Sequence, residues 1–122
     1  MEIVVDFPGG VRVDTHLGPF TLKTDQPRPG GEGTAPSPFD MFLAALGACA
    51  GFYVLSFCQQ RSLPTVGLLL IQRVEMDPIT HLASKVLLTI QLPAEFPDKY
   101  KAAVTRAAQQ CKSASNLSIL LS

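Results

Sequence analysis

The sequence predicts a mixed α/β (α+β) fold with an N-terminal β-meander, a long buried central helix, further strands and a second helix. Three observations carry this expectation. Short alternating runs punctuated by Gly and Pro open the chain, an uncharged twenty-residue stretch follows a helix-cap pattern, and two strand-like runs precede an amphipathic segment. With 122 residues the chain reads as one domain, 1–122, because domains run to roughly 100–200 residues.

The meander is expected at Glu2 to Asp6, Val11 to Thr15 and Phe20 to Thr24, with turns at Pro8-Gly9-Gly10 and Gly18-Pro19. Residues Gln26 to Ser37 read QPRPGGEGTAPS, too rich in Pro and Gly for regular structure; loops of this length are functional or disordered. Ser37-Pro38-Phe39-Asp40 is a helix start, with Ser as N-cap, Pro in the first helical position and an acid three residues after the cap. That helix should run to about Ser62 and stop before Pro64. Strands are expected at Val66 to Met76 and Ala83 to Leu92, joined through Asp77-Pro78. A second helix is expected from about Pro97 to Gln110, with Tyr100, Ala103, Val104, Ala107 and Ala108 on its apolar stripe. The short apolar run Asn116 to Leu121 suits a last strand.

Ten Lys and Arg balance ten Asp and Glu, and no basic cluster interrupts the chain, which argues against nucleic acid or an anionic membrane as partner. Only 16% of residues are charged against an average of about 25%, so an unusual share of surface should meet another protein surface. Glu2 and Asp6 flank just three apolar residues, a poor export signal, and three widely spaced cysteines do not form a disulfide framework. A cytoplasmic protein is expected, with thiols that are chemical rather than structural.

Met41 to Gln60, MFLAALGACAGFYVLSFCQQ, holds no charge. Its length and its Gly47-x-x-x-Gly51 spacing suit a membrane span, but the soluble-type cap and the amphipathic sheet patterning around it favour a core helix. A helix apolar all round must be enclosed, and twenty residues make about 30 Å of helix, more than a chain this small covers alone. The expectation is a homodimer with this helix as shared core, and with Ala44, Ala45, Gly47, Ala48, Ala50 and Gly51 allowing close approach.

Cys49 lies within that small-residue patch. Cys58, nine residues on, points the other way about 13 Å further along the helix, so these two cannot bond within it and Cys58 reads as core. Cys111, at the end of the second helix, is the cysteine whose distance from Cys49 the spacing leaves free. If an intrachain pair does chemistry, it is Cys49 with Cys111. A thiol deep in an apolar helix has a raised pKa and needs a cation from elsewhere; Arg28, Arg12, or either residue from a second subunit are the candidates. Cys111 suits a resolving thiol, and Lys112 beside it softens the unfavourable helix C-terminus. His16 and His81 stand alone beside turns and read as solvated.

The segment GGEGTAPSPFDMFLAALGACAGFYVLSFCQQRSL resembles the core helix of the OsmC/Ohr family, the osmotically inducible and organic hydroperoxide resistance proteins. The resemblance extends through both later strands, the QLPAEFPDKY lead into the second helix and the cysteine of QQCKSASNL. It implies an OsmC-like intertwined homodimer and thiol-dependent reduction of organic hydroperoxides and hydrogen peroxide, with Cys49 attacking and Cys111 resolving. It implies no metal, flavin or haem, and an external dithiol, such as a lipoylated protein, as reductant. Hydroperoxide-resistance members carry a Glu ahead of the first cysteine's helix that holds an activating Arg. Here the nearest acid is Asp40, beside Phe39, and Arg12 is the positional candidate for the cation, so the chain resembles the broader OsmC-like branch more than the strict hydroperoxide-resistance members. The apolar neighbours Leu46, Phe52 and Tyr53 favour a hydrophobic peroxide. Two other readings compete: an OsmC-like or hot-dog-like dimer binding apolar or acyl ligands, in which Cys49 is incidental, and a redox-sensing or purely structural dimer.

Overall fold

The computed structural model describes residues 1–111 and 117–121. The backbone divides into two compact units, Met1–Ala44 and Ala45–Ser122.

The first unit is built on the expected antiparallel meander of β1 (Ile3–Gly9), β2 (Arg12–Leu17) and β3 (Phe20–Thr24). Leu17 pairs with Phe20, so Gly18-Pro19 is a two-residue turn, and Gly18 takes φ +52°, where a side chain would be strained. The register aligns Ile3, Leu17 and Phe20 across the sheet, then Val5, Thr15 and Leu22. Successive side chains alternate faces, so these rows form an apolar face, and Ile3, Val5, Phe7, Phe20 and Leu22 on it are all exposed. The other face is polar. His16 lies there within β2 rather than beside a turn, with Nδ1 3.1 Å from Thr21 Oγ1 and Nε2 3.0 Å from Asp6 Oδ2.

The Pro/Gly segment after β3 is organised by Asp25, only 1% exposed. Its Oδ1 accepts the Gln26 N–H at 2.7 Å, while Oδ2 accepts the Thr34 hydroxyl at 2.7 Å and the Thr34 N–H at 3.1 Å. Gly31 packs onto this carboxylate and onto the Gln26 carbonyl so closely that a Cβ would collide with both. The loop then enters α1 (Pro38–Gln60). Ser37 caps it as expected, its Oγ accepting the Asp40 N–H at 3.2 Å.

In the second unit α1 buries one stripe: Leu46, Ala50, Val54, Phe57 and Cys58. Its other sides, including Phe52 and Leu55, remain exposed. The helix ends before Pro64, because Ser62 turns left-handed at φ +51°, and the Ser62 and Leu63 N–H groups donate to the Gln59 and Cys58 carbonyls at 3.2 and 2.9 Å.

Strand β4 (Leu69–Met76) pairs antiparallel with β5 (Ala83–Gln91), and β6 (Leu117–Leu121) adds parallel to β5. β4 starts three residues later than the spacing suggests, since Val66-Gly67 forms a turn with Gly67 at φ +87°. Between β4 and β5, Asp77 Oδ1 accepts the Ile79 and Thr80 N–H groups at 2.8 and 2.9 Å. His81 sits exposed in that turn. The expected last strand is β6, although Asn116 and Lys112 lie outside the described residues.

The second helix is shorter than expected. A 3-10 turn at Asp98–Tyr100 leads into α2 (Lys101–Ala108), and Cys111 lies three residues beyond the helix rather than on it. Two successive carbonyls, of Arg106 and Ala107, accept from the Gln109 and Gln110 N–H groups at 3.1 Å, tightening the exit and ending the α-helical pattern. The anticipated stripe does face inward: Val104, Ala107 and Ala108 are buried, with Tyr100 and Ala103 packed against the core. That core joins Ala50, Val54, Phe57 and Cys58 of α1 to Leu88 and Ile90 of β5, Phe96 and α2.

Candidate functional site

Cys49 and Cys111 are joined by a disulfide across 62 residues of sequence, with Cα atoms 5.8 Å apart. The shared core brings them together. Packing of Val104, Ala107 and Ala108 with Ala50, Val54 and Phe57 fixes α2 in the same core as α1, and the tightened exit of α2 delivers Cys111 to Cys49. The Phe57 and Tyr100 rings meet edge to face at 6.0 Å and tie the start of α2 to the same helix. Cys111 is 1% exposed, whereas Cys49 is half-buried. Two residues before Cys49, Gly47 leaves the space into which Gln72 Oε1 from β4 fits.

Cys58 is the remaining thiol. It is buried in the core, and burial pushes its pKa up, only partly offset by the positive charge of Arg61. It therefore stays protonated.

From one turn past Cys49 onward, α1 and the α2 end wall a groove of about 240 Å³, lined by Phe52, Tyr53, Ser56, Phe57, Gln60, Arg61, Ala107 and Gln110. Residues 49, 52, 53, 56 and 60 recur at helical spacing, so Cys49 shares its face with this wall. The Arg61 guanidinium folds back along the helix, with Cζ 3.8 Å from the centre of the Phe57 ring and Nη1 donating to the Phe57 carbonyl at 3.2 Å. Arg61 received no role from the sequence, because an exposed arginine after a helix resembles any solvated helix end until its guanidinium is seen to fold back.

The other anticipated residues belong to the first unit. Asp40 sits in the first turn of α1, its side chain exposed and its N–H held by Ser37. Arg28 donates Nε to the Glu32 carbonyl at 3.2 Å within the Pro/Gly loop, and Arg12 donates Nε to the Gly9 carbonyl at 3.3 Å. Arg12, Asp25 and Glu32 line a second cavity of about 320 Å³. Asp25 too was missed by the sequence reading, although an acid leading into a Pro/Gly loop with a Thr nine residues on is a recognisable pattern.

A mixed α/β chain that pairs two remote cysteines between a long core helix and the end of a second helix defines a dithiol–disulfide protein. The OsmC-like protein family model matches residues 31–118, and the chain belongs to that family. A comparison with curated proteins gives no match. Among solved structures, one similar fold is a Psychrobacter arcticus protein described as an osmotic stress induced and detoxification response protein, with TM-score 0.82, 21% identity, and 98% of this chain and 94% of that chain covered. The OsmC-like protein of Mycoplasma pneumoniae superposes with TM-score 0.77 at 13% identity, covering 99% of this chain and 93% of that one. The organic hydroperoxide resistance protein OhrB of Bacillus subtilis does so with TM-score 0.59 at 16% identity, covering 98% and 94%. The fold is thus one that organic hydroperoxide resistance proteins use.

Proposed function

We propose that the protein is a thiol-dependent peroxidase that reduces organic hydroperoxides, and hydrogen peroxide, through Cys49 and Cys111. The observation that carries this reading is the bridge itself: two cysteines 62 residues apart bond although a third thiol stays free in the core. In the reduced enzyme the Cys49 thiolate attacks the distal peroxide oxygen. The O–O bond breaks, the alkoxide leaves and takes a proton as the alcohol, and Cys49 becomes a sulfenic acid. The Cys111 thiol then displaces hydroxide from that sulfur, releasing water and closing the disulfide. An external dithiol, such as a lipoylated protein, reopens it by thiol–disulfide exchange, giving up two electrons and two protons. Sulfur carries the whole cycle, which calls for no metal, flavin or haem.

Ionising Cys49 requires a cation, which we assign to Arg12 or Arg28, supplied by the same or a second subunit, with Asp40 as the acid that orients it. The working form is a cytoplasmic homodimer in which the exposed sides of α1 are covered. Phe52 and Tyr53, one turn from Cys49, favour an apolar peroxide over a small polar one.

One equivalent of cumene hydroperoxide should consume two of the three thiols, leaving Cys58 titratable. Cys49→Ser should lower turnover at least a hundredfold, while Cys111→Ser should trap the sulfenic acid. Retention of all three thiols, or unaltered function in Cys49→Ser as expected of an acyl-binding dimer, rules the reading out. Equal kcat/KM for cumene hydroperoxide and hydrogen peroxide removes the apolar preference alone.

A further inference from the structure

The groove between the last turns of α1 and the end of α2 has an apolar floor and one cationic end. Phe57 and Ala107 are buried at its floor, and the Phe52 and Tyr53 rings, edge to face at 5.5 Å, wall the end nearer Cys49. At the other end Gln60, Arg61 and Gln110 are exposed and polar. Neither cysteine lines this space. The Arg61 guanidinium stacks on Phe57, which lies eight residues, or about 12 Å of helix, beyond Cys49.

Of the five N–H donors of that guanidinium one is used, by the Phe57 carbonyl, and stacking fixes the plane in which the others point. No acid lines the groove, and Arg61 has no carboxylate partner among the described residues. Two helix C-termini meet here, and bare carbonyls would repel an anion. These carbonyls are occupied. Those of Phe57, Cys58 and Gln59 accept from Arg61 Nη1 and from the Arg61 and Ser62 N–H groups, while those of Arg106 and Ala107 accept from the Gln109 and Gln110 N–H groups. The guanidinium therefore sets the sign of the charge that this end attracts. A single cation suits a single negative charge, whereas a phosphate monoester carries nearly two and calls for a cluster of bases. The volume of about 240 Å³ lies below the roughly 300–1,000 Å³ of pockets for drug-sized ligands, so the groove suits a smaller molecule.

We propose that the groove is a binding site for a small monocarboxylate with an apolar body. The carboxylate takes the free edge of the Arg61 guanidinium, the Gln60 and Gln110 amides flank it, and the body lies over Phe57, Ala107 and Tyr53. The site goes beyond the peroxidase reading and does not depend on it, since no bond is made or broken and neither cysteine takes part.

Hydrocinnamate is the probe, titrated into the intact chain with its bridge closed and followed by heteronuclear NMR of the backbone and the Arg61 Nε. For a ligand of about eleven non-hydrogen atoms the expected Kd is on the order of 1 mM, with the largest shifts at Tyr53, Arg61 and Gln110. Hydrocinnamamide keeps the body without the charge and should bind about tenfold more weakly, the size of one charge-assisted contact. Acetate keeps the charge without the body and should also bind at least about tenfold more weakly. Arg61→Gln should bring the acid and the amide to about equal affinity, and Arg61→Lys, which keeps the charge without the fork, should retain part of the difference. Equal affinity of acid and amide in the unaltered protein overturns the proposal, as does an undiminished difference in Arg61→Gln. So do acetate or inorganic phosphate binding as tightly as hydrocinnamate, and shifts centred away from the groove. The bridge stays closed throughout, so the outcome is independent of whether cumene hydroperoxide consumes the thiols, and either reading can fail alone.

Discussion

Asp25 shows how one carboxylate can organise a loop that its composition leaves undefined. The Thr34 hydroxyl, followed by the Thr34 and Gln26 N–H groups, holds its pKa down at about 2 against a usual 3.8, and burial opposes this without prevailing. Protonation must be resisted more strongly in the folded chain than in the unfolded one. The stabilisation is therefore complete above the unfolded value of about 4 and is lost as pH falls from there through about 2. Thr34→Ala removes the largest of these contributions, so its acid-unfolding midpoint, followed by circular dichroism, should move to higher pH, with Thr34→Ser restoring it. An unchanged midpoint in Thr34→Ala means the carboxylate does not hold the loop. The neighbouring glycine follows the same logic: Gly31→Ala should destabilise the chain, because its Cβ would meet the Gln26 carbonyl and the Asp25 carboxylate.

Element boundaries follow from backbone chemistry, and α1 displays both kinds. Its start was legible because Ser37, Pro38 and Asp40 each act through nearest neighbours, and the Ser37–Asp40 bond bears this out. Its end is set by Ser62 at φ +51°, a position usually filled by glycine, and nothing in a Ser-Leu-Pro string announces a left-handed residue. Ser62→Gly should therefore raise stability by about 1 kcal/mol, or about 4 °C in Tm for a chain of this size, measured by thermal melting; a lowered Tm contradicts the account. The meander, β4, β5 and the apolar stripe of α2 were readable from periodicity, since which face is apolar is written in the alternation itself, although in the meander that face is exposed. The shortening of α2 was not, because Gln109 and Gln110 are good helix formers and only the tightened bonding of their N–H groups stops the helix. At the site, helical spacing excluded a Cys49–Cys58 bond and left the distance from Cys49 to Cys111 open; the structure joins those two. The Arg61 groove depends on how a flexible side chain folds, and no spacing rule reaches that far.

For the whole molecule the question is what covers its apolar surface. The Ile3, Val5, Phe7, Phe20 and Leu22 side of the meander is exposed, and so are Phe42, Phe52 and Leu55 on α1, with Phe7 77% and Phe52 63% accessible. Each buried aromatic removes about 150–250 Å² from water, worth roughly 25 cal/mol per Å². The stabilisation that burying a handful of such residues would add is large beside a whole-chain stability of order 5–15 kcal/mol. Single exposed apolar residues need no explanation, but a contiguous sheet face does. A membrane could take α1 by length and composition, yet Ala50, Val54, Phe57 and Cys58 are already spent inside a protein core. A second copy of the chain offers matching apolar faces with few charges to desolvate, since only 16% of residues are charged. Sedimentation equilibrium should therefore return twice the 13.1 kDa chain mass at micromolar concentration. Phe42→Glu, which puts a charge on the exposed side of α1 without touching the disulfide or its groove, should weaken association at least tenfold, because an unpaired buried carboxylate costs several kcal/mol. A monomer at those concentrations, or a Phe42→Glu variant that associates as tightly as the parent, would leave the apolar sheet and helix faces to a different partner.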